Sequence, residues 1–227
     1  MSRKTAEQST SSTVRLDDAA RLRLLSGAFA LSLITIFYNL GEGIVSVSLG
    51  MAEETLALFG FGVDSFVEVI SGVGVLHMVT RMRRSPVEHH DRFEVTALRI
   101  TGFAFLLLAV GLTVGAVISI ATGQAPVTTV PGMIISAVSI LTMWLLIRYK
   151  MRVGRALDSD AIIADAHCTR ACLRLSVVLL ASSGIYALTG LGFVDALGSI
   201  GIAVLAAMEG REALQKARTR EIACTCD

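Results

Sequence analysis

The chain has 227 residues, of which 53% are hydrophobic and 17% charged, with a net charge of +1. Soluble domains carry about 25% charged residues, so this composition excludes an ordinary soluble protein and points to a polytopic membrane protein. The near-neutral balance excludes a nucleic-acid partner, and no segment outside the apolar runs is long enough for an independent soluble domain.

Residues 1–20 are polar, with Ser9, Thr10, Ser11, Ser12 and Thr13 in a row. They read as part of a disordered cytoplasmic arm (1–23) and not as a secretory signal. A first span is expected from about Leu24 to Gly50, with Glu42 its only charge and Asn39 one turn before it. A tight outer turn, Met51 to Glu54, leads into an apolar run of 26 residues, 55–80, long enough to cross a bilayer. Arg81, Met82, Arg83 and Arg84 are expected to stop that helix, with Pro86 marking a loop. No charge occurs from Ile100 to Ile147, too long a stretch for one span, and Gly123, Pro126, Pro131 and Gly132 divide it. Helix three then covers about 94–121 and helix four about 131–149. After a basic loop, helix five covers about 161–188; Gly190, Gly192 and Asp195 interrupt the pattern, and helix six runs to about Leu214. The expected fold is an all-α bundle of six transmembrane helices (24–214) followed by a short cytoplasmic tail (215–227).

Lys and Arg set the orientation. They occur in the N-terminal arm, in the second-third loop (Arg81, Arg83, Arg84, Arg92), in the fourth-fifth loop (Arg148, Lys150, Arg152, Arg155) and in the tail, and are missing from the three opposite loops. Both termini are therefore expected in the cytoplasm, with the protein in the cell membrane.

Asp64 and Glu68 stand in the middle of the second span. A spacing of four puts them on one helical face, roughly 40° apart and about 6 Å along the axis. Ionised carboxylates at the bilayer centre cost a few kcal/mol each, and two together repel one another. An inward face that holds a cation or exchanges protons resolves both problems; the competing account is a pair of structural acids bonded to neighbouring helices. Helix five opens A-D-A-H-C-T-R-A-C-L-R over 164–174, with Cys168 and Cys172 again four apart and Asp165 on the same face. Arg170 and Arg174 fall on the far side, where they can snorkel to lipid phosphates. Lone helical cysteines usually pack as small apolar groups. Here they match a carboxylate pair, and they read as ligands. His167 points about 100° off that face, as a packing histidine or an accessory ligand. Two carboxylates and two thiolates suit a tetrahedral divalent ion such as Zn²⁺ or Cd²⁺, and protons compete for the same donors.

Six spans, cytoplasmic termini and paired ligands on helices two and five resemble the transmembrane domain of the cation diffusion facilitator (cation efflux) family. Asn39, Gly50 and D-S-F-V-E (64–68) lie on that family's helix-one and helix-two pattern, which ends in [H/D]-x-x-x-D. A-D-A-H-C-T-R-A-C resembles its A-D-A-x-H-x-x-x-D, with Asp165 kept, Cys168 in place of His and Cys172 in place of Asp. Glu88–Glu94 and Asp195 resemble the leads into helices three and six. The resemblance covers about 25–210 and implies the transmembrane domain only, without the family's metal-binding C-terminal cytoplasmic domain. It implies a metal/proton antiporter that exports a divalent cation, with Asp64, Glu68, Cys168 and Cys172 as ligands. The cysteines shift the expected cargo from zinc toward a softer or different ion. It also implies a homodimer, held here by membrane helices, for which Gly198, Gly201, Ala203 and Ala206 offer close-packing surfaces, though such residues more often pack inside a monomer.

Several residues stay open. Glu42 is a proton carrier, a further ligand or a partner for Asn39. Cys224 and Cys226 form a C-x-C in the tail that passes soft ions or has no role, and His89-His90 is a peripheral metal site or a wet loop. His77 is expected at the interface. Cysteines facing the cytoplasm or the pore imply no structural disulfides. A rival reading is a non-transporting membrane sensor or assembly subunit that binds metal. A thiol enzyme built on His167 and Cys168 is disfavoured, because adjacent helical side chains diverge by about 100°, and no enzymatic activity or organic cofactor is expected.

Overall fold

A computed structural model describes residues 18–84, 91–127, 129–157 and 159–224. These form six helices: α1 (Asp18–Ala52), α2 (Leu56–Arg84), α3 (Asp91–Thr122), α4 (Val130–Ala156), α5 (Asp160–Thr189) and α6 (Phe193–Cys224). Each contains a window long and apolar enough to span a membrane. Among the described residues there is no strand.

The helix ends depart from the sequence expectation in one direction: they run further. α1 starts at Asp18, inside the expected arm, and α6 continues through Cys224, well into the expected tail. α2 ends at Arg84, within the arginine cluster expected to stop it, whereas α4 reaches Ala156 instead of about 149. Charged residues close an apolar span without breaking a helix, since Arg and Lys are good helix formers. The first part of the expected basic loop, up to Ala156, is therefore the last turns of α4. Gly190, in the left-handed conformation at φ 65°, ends α5, as a glycine C-cap allows.

α2 is the central helix, packing on α1, α3, α5 and α6. Buried residues make up 56% of its most apolar window, against 28% for those of α1, α3 and α4. Phe61, Leu58, Leu108, Leu112, Leu175, Leu179 and Ile202 fill the space between α2, α3, α5 and α6. At the other end Ala28, Val79 and Ile162 close the bundle with Val153. The outer faces of α1, α3 and α4 carry exposed Phe37, Phe103, Leu107, Val110 and Leu141, as lipid-facing helices require.

Two glycines let α1 lie directly on α2. A Cβ on Gly50 would come within 2.5 Å of the Phe59 backbone nitrogen, and one on Gly62 within 2.7 Å of that of Val47. Gly50→Val should therefore push the pair apart and cost roughly 1–3 kcal/mol, read as a lower thermal unfolding temperature of the detergent-solubilised protein. The small residues of α6 are used inside the chain: Gly198 packs on Ser182, Gly201 on Val178, and Ala203 and Ala206 are buried. Asp195 does not reach the middle of the bundle. Its Oδ2 accepts the Leu56 backbone N–H at 2.9 Å and so caps the start of α2.

Candidate metal centre

The inner face of α2 presents Asp64, Ser65, Glu68 and Ser71 at helical spacing, and α5 packs on that face. Asp64 and Glu68 are both buried, as the sequence expects. Across the interface the Cys172 thiol donates to Asp64 Oδ2 at 3.0 Å, joining residues 108 positions apart. Glu68, one turn along, lies beside Cys172 and Thr169. Neither of its oxygens has a hydrogen-bonding partner, and neither does Asp64 Oδ1. Buried carboxylate oxygens without donors are costly and uncommon. Three of them stand one turn apart on the same face of α2, a donor set that a cation could satisfy.

Cys168 is partly buried one turn from Cys172, against Ser71 of α2 and within electrostatic reach of Glu68. The four expected ligands thus share the α2–α5 interface. They do not stand closed around one point: among the described residues no three His, Cys, Asp or Glu side chains are grouped tightly enough to hold an ion. Asp64 and Cys172 touch, Glu68 lies beside Cys172, and Cys168 faces Ser71.

The accessory residues divide. Asp165 is buried, but its Oδ2 is taken by Lys150 Nζ at 2.8 Å. Its backbone carbonyl accepts from Thr169 Oγ1 at 3.1 Å. His167 is exposed and faces Arg170, with Nδ1 3.3 Å from a guanidinium nitrogen, so it points away from the centre. Asn39 is buried on α1, donates to the Thr35 carbonyl and leaves its own Oδ1 without a partner. Glu42 is not bonded to Asn39. It accepts from Tyr38 at 2.8 Å and from Ser65 at 3.1 Å, which ties α1 to the turn of α2 beside Asp64. Next to the Cys172–Asp64 pair, Ser176 Oγ lies 2.9 Å from the Cys172 carbonyl oxygen and 3.1 Å from Ser139 Oγ of α4. His77 is exposed on α2. His89, His90 and Cys226 lie outside the described residues, as does the Cys224 side chain.

Lys150 lies elsewhere than the expected basic loop. It is 1% exposed and bonds both Asp165 and, at 2.8 Å, Thr169 Oγ1. A signal for it existed. Gly132, Ser136, Ser139, Met143, Leu146, Lys150 and Gly154 recur at steps of three and four and form the buried face of α4.

The cation efflux transmembrane domain matches residues 31–219. The chain is 27% identical to an uncharacterised transporter of Methanocaldococcus jannaschii over 184 residues, 77% of this chain and 63% of that protein. It is 25% identical to the manganese efflux system protein MneP of Bacillus subtilis over 140 residues, 60% of this chain and 47% of MneP. With the magnetosome protein MamB of a Magnetospira species it shares 27% identity over 180 residues, 78% of this chain and 61% of that one. The chain thus spans less than two thirds of the length of each of these relatives. With six membrane-length helices, paired acidic and thiol side chains at the α2–α5 interface and a family match running through all six, this chain belongs to the cation efflux family.

Proposed function

We propose that this chain is a secondary transporter that carries a divalent, thiophilic metal cation, Zn²⁺ or Cd²⁺, out of the cytoplasm in exchange for protons. The observation that carries the reading is the Asp64–Cys172 contact beside a Glu68 carboxylate without donors. The Cys172 thiol proton points at the carboxylate oxygen that the cation needs. Metal entry displaces that proton, and a returning proton weakens the hold on the metal. Such competition at one buried site is what couples opposite fluxes when the site faces the two sides in turn. Asp64, Glu68 and Cys172 are the ligands, and Cys168 completes the set after rotating inward. The arginines at the terminal end of the bundle orient both termini to the cytoplasm of the cell membrane.

Proteoliposomes holding the purified chain should accumulate Zn²⁺ or Cd²⁺ when an inward metal gradient is opposed by an outward proton gradient. Uptake should fall severalfold when the proton gradient is collapsed. Mn²⁺, the ion in the name of the Bacillus relative, is the comparison cargo: faster Mn²⁺ than Cd²⁺ flux removes the thiophilic assignment. Metal binding without flux in any condition favours a sensor or assembly subunit instead.

A further inference from the structure

Among the described residues four carboxylates are buried, Asp64, Glu68, Asp165 and Asp195, together with one basic side chain, Lys150. Asp195 is occupied as the cap of α2. Lys150 Nζ lies 2.8 Å from Asp165 Oδ2 and 2.8 Å from Thr169 Oγ1, at the turn of α5 that carries Cys168. Its charge also reaches Glu68. An ammonium in a dry interior is expensive unless it is paired and hydrogen-bonded, and neutral side chains of the same volume usually serve packing at lower cost. The position therefore calls for a reason beyond scaffolding.

We propose that Lys150 is a tethered counter-cation that sets the charge of the metal site. Its ammonium is committed to Asp165 Oδ2 and neutralises that carboxylate, whose Oδ1 keeps no partner, so that Asp165 adds no net charge to the ligand set. Asp64 and Glu68 remain as the buried acids outside any ion pair, with Glu68 feeling Lys150 only at longer range. Their two carboxylate charges balance one divalent ion before either thiol gives up its proton. The Lys150–Asp165 pair is thus a specificity-determining element for ion charge, reached through α4, and neither member touches the cargo. This inference rests on the transport reading above, but concerns the charge balance of the centre and not the identity of its ligands.

A scaffold and a counter-cation predict different orders of affinity. If the pair only clamps α4 to α5, removing either member, or both, loosens the site. If it sets charge, the two single variants move in opposite directions. Asp165→Asn frees the ammonium to act on Glu68, and Cd²⁺ affinity should fall on the order of a hundredfold. Lys150→Met removes the competing charge and should tighten binding about tenfold. The neutral pair Lys150→Met/Asp165→Asn should recover to within about threefold of wild type, since both charges leave together.

The measurement is isothermal titration of the full chain in detergent with Cd²⁺, alongside thermal unfolding of each variant. Weakened binding in Lys150→Met, or unchanged binding in Asp165→Asn, overturns the proposal. Should Lys150→Met fail to fold, comparing Asp165→Asn with the double variant still decides. Recovery in the double supports the counter-cation, and a persistent loss overturns it. A wild type that binds no divalent ion sinks the transport reading and this inference with it; a binding wild type with the wrong order of variants sinks this inference alone.

Discussion

Asp64→Asn is expected to abolish metal transport while leaving the fold at least as stable as wild type. The two effects have opposite signs for one reason. Asp64 is buried, its Oδ1 has no donor, and its Oδ2 has only the Cys172 thiol. That is a poor environment for a carboxylate and a good one for the same group bound to a cation. The amide keeps shape and volume and still offers an oxygen to Cys172, so burial becomes cheaper. The cation, however, loses an anionic donor. Opposite unit charges about 4 Å apart are worth about 4 kcal/mol at an effective dielectric of about 20, or on the order of a thousandfold in affinity, and a divalent ion at bonding distance loses more. Flux assays in proteoliposomes and thermal unfolding in detergent, on the same preparation, separate the two. A variant that transports at a wild-type rate removes Asp64 from the ligand set.

The second large effect is one of selectivity. Cys168→Ala/Cys172→Ala should weaken Cd²⁺ binding at least a hundredfold, about 3 kcal/mol, and change Mn²⁺ binding by less than tenfold. Thiolates bond covalently to soft ions and add little for a hard ion that prefers oxygen. Cys172 should dominate, since it already contacts Asp64, whereas Cys168 faces Ser71 and must turn inward. Titration with Zn²⁺, Cd²⁺, Mn²⁺, Co²⁺ and Hg²⁺ on both proteins tests this. Equal losses across the series would show that the sulfurs fill space and the carboxylates alone select the ion. Melting temperature should drop little, because two small side chains leave small cavities.

The amino-acid sequence by itself determined six membrane-length helices in this order, with acids paired on the second and thiols paired on the fifth. Those features are local: an uninterrupted apolar run fixes a span, and a spacing of four fixes a shared face whatever the neighbours. Only the tertiary structure decided which of the paired groups meet. Cys172, not Cys168, contacts Asp64, and Asp165 turns from the centre to Lys150. Glu42 is held by Tyr38 and Ser65 and not by Asn39, while His167 faces outward with Arg170. The Cys172–Asp64 and Lys150–Asp165 contacts depend on how far α5 is rotated and how deep it sits against α2 and α4. Those two quantities are set by packing between different helices, and no periodicity along one helix contains them. Lys150 illustrates the limit best. Along the chain it is one basic residue among several at a helix end, and it becomes a buried cation only because α5 brings a carboxylate and a hydroxyl to meet it.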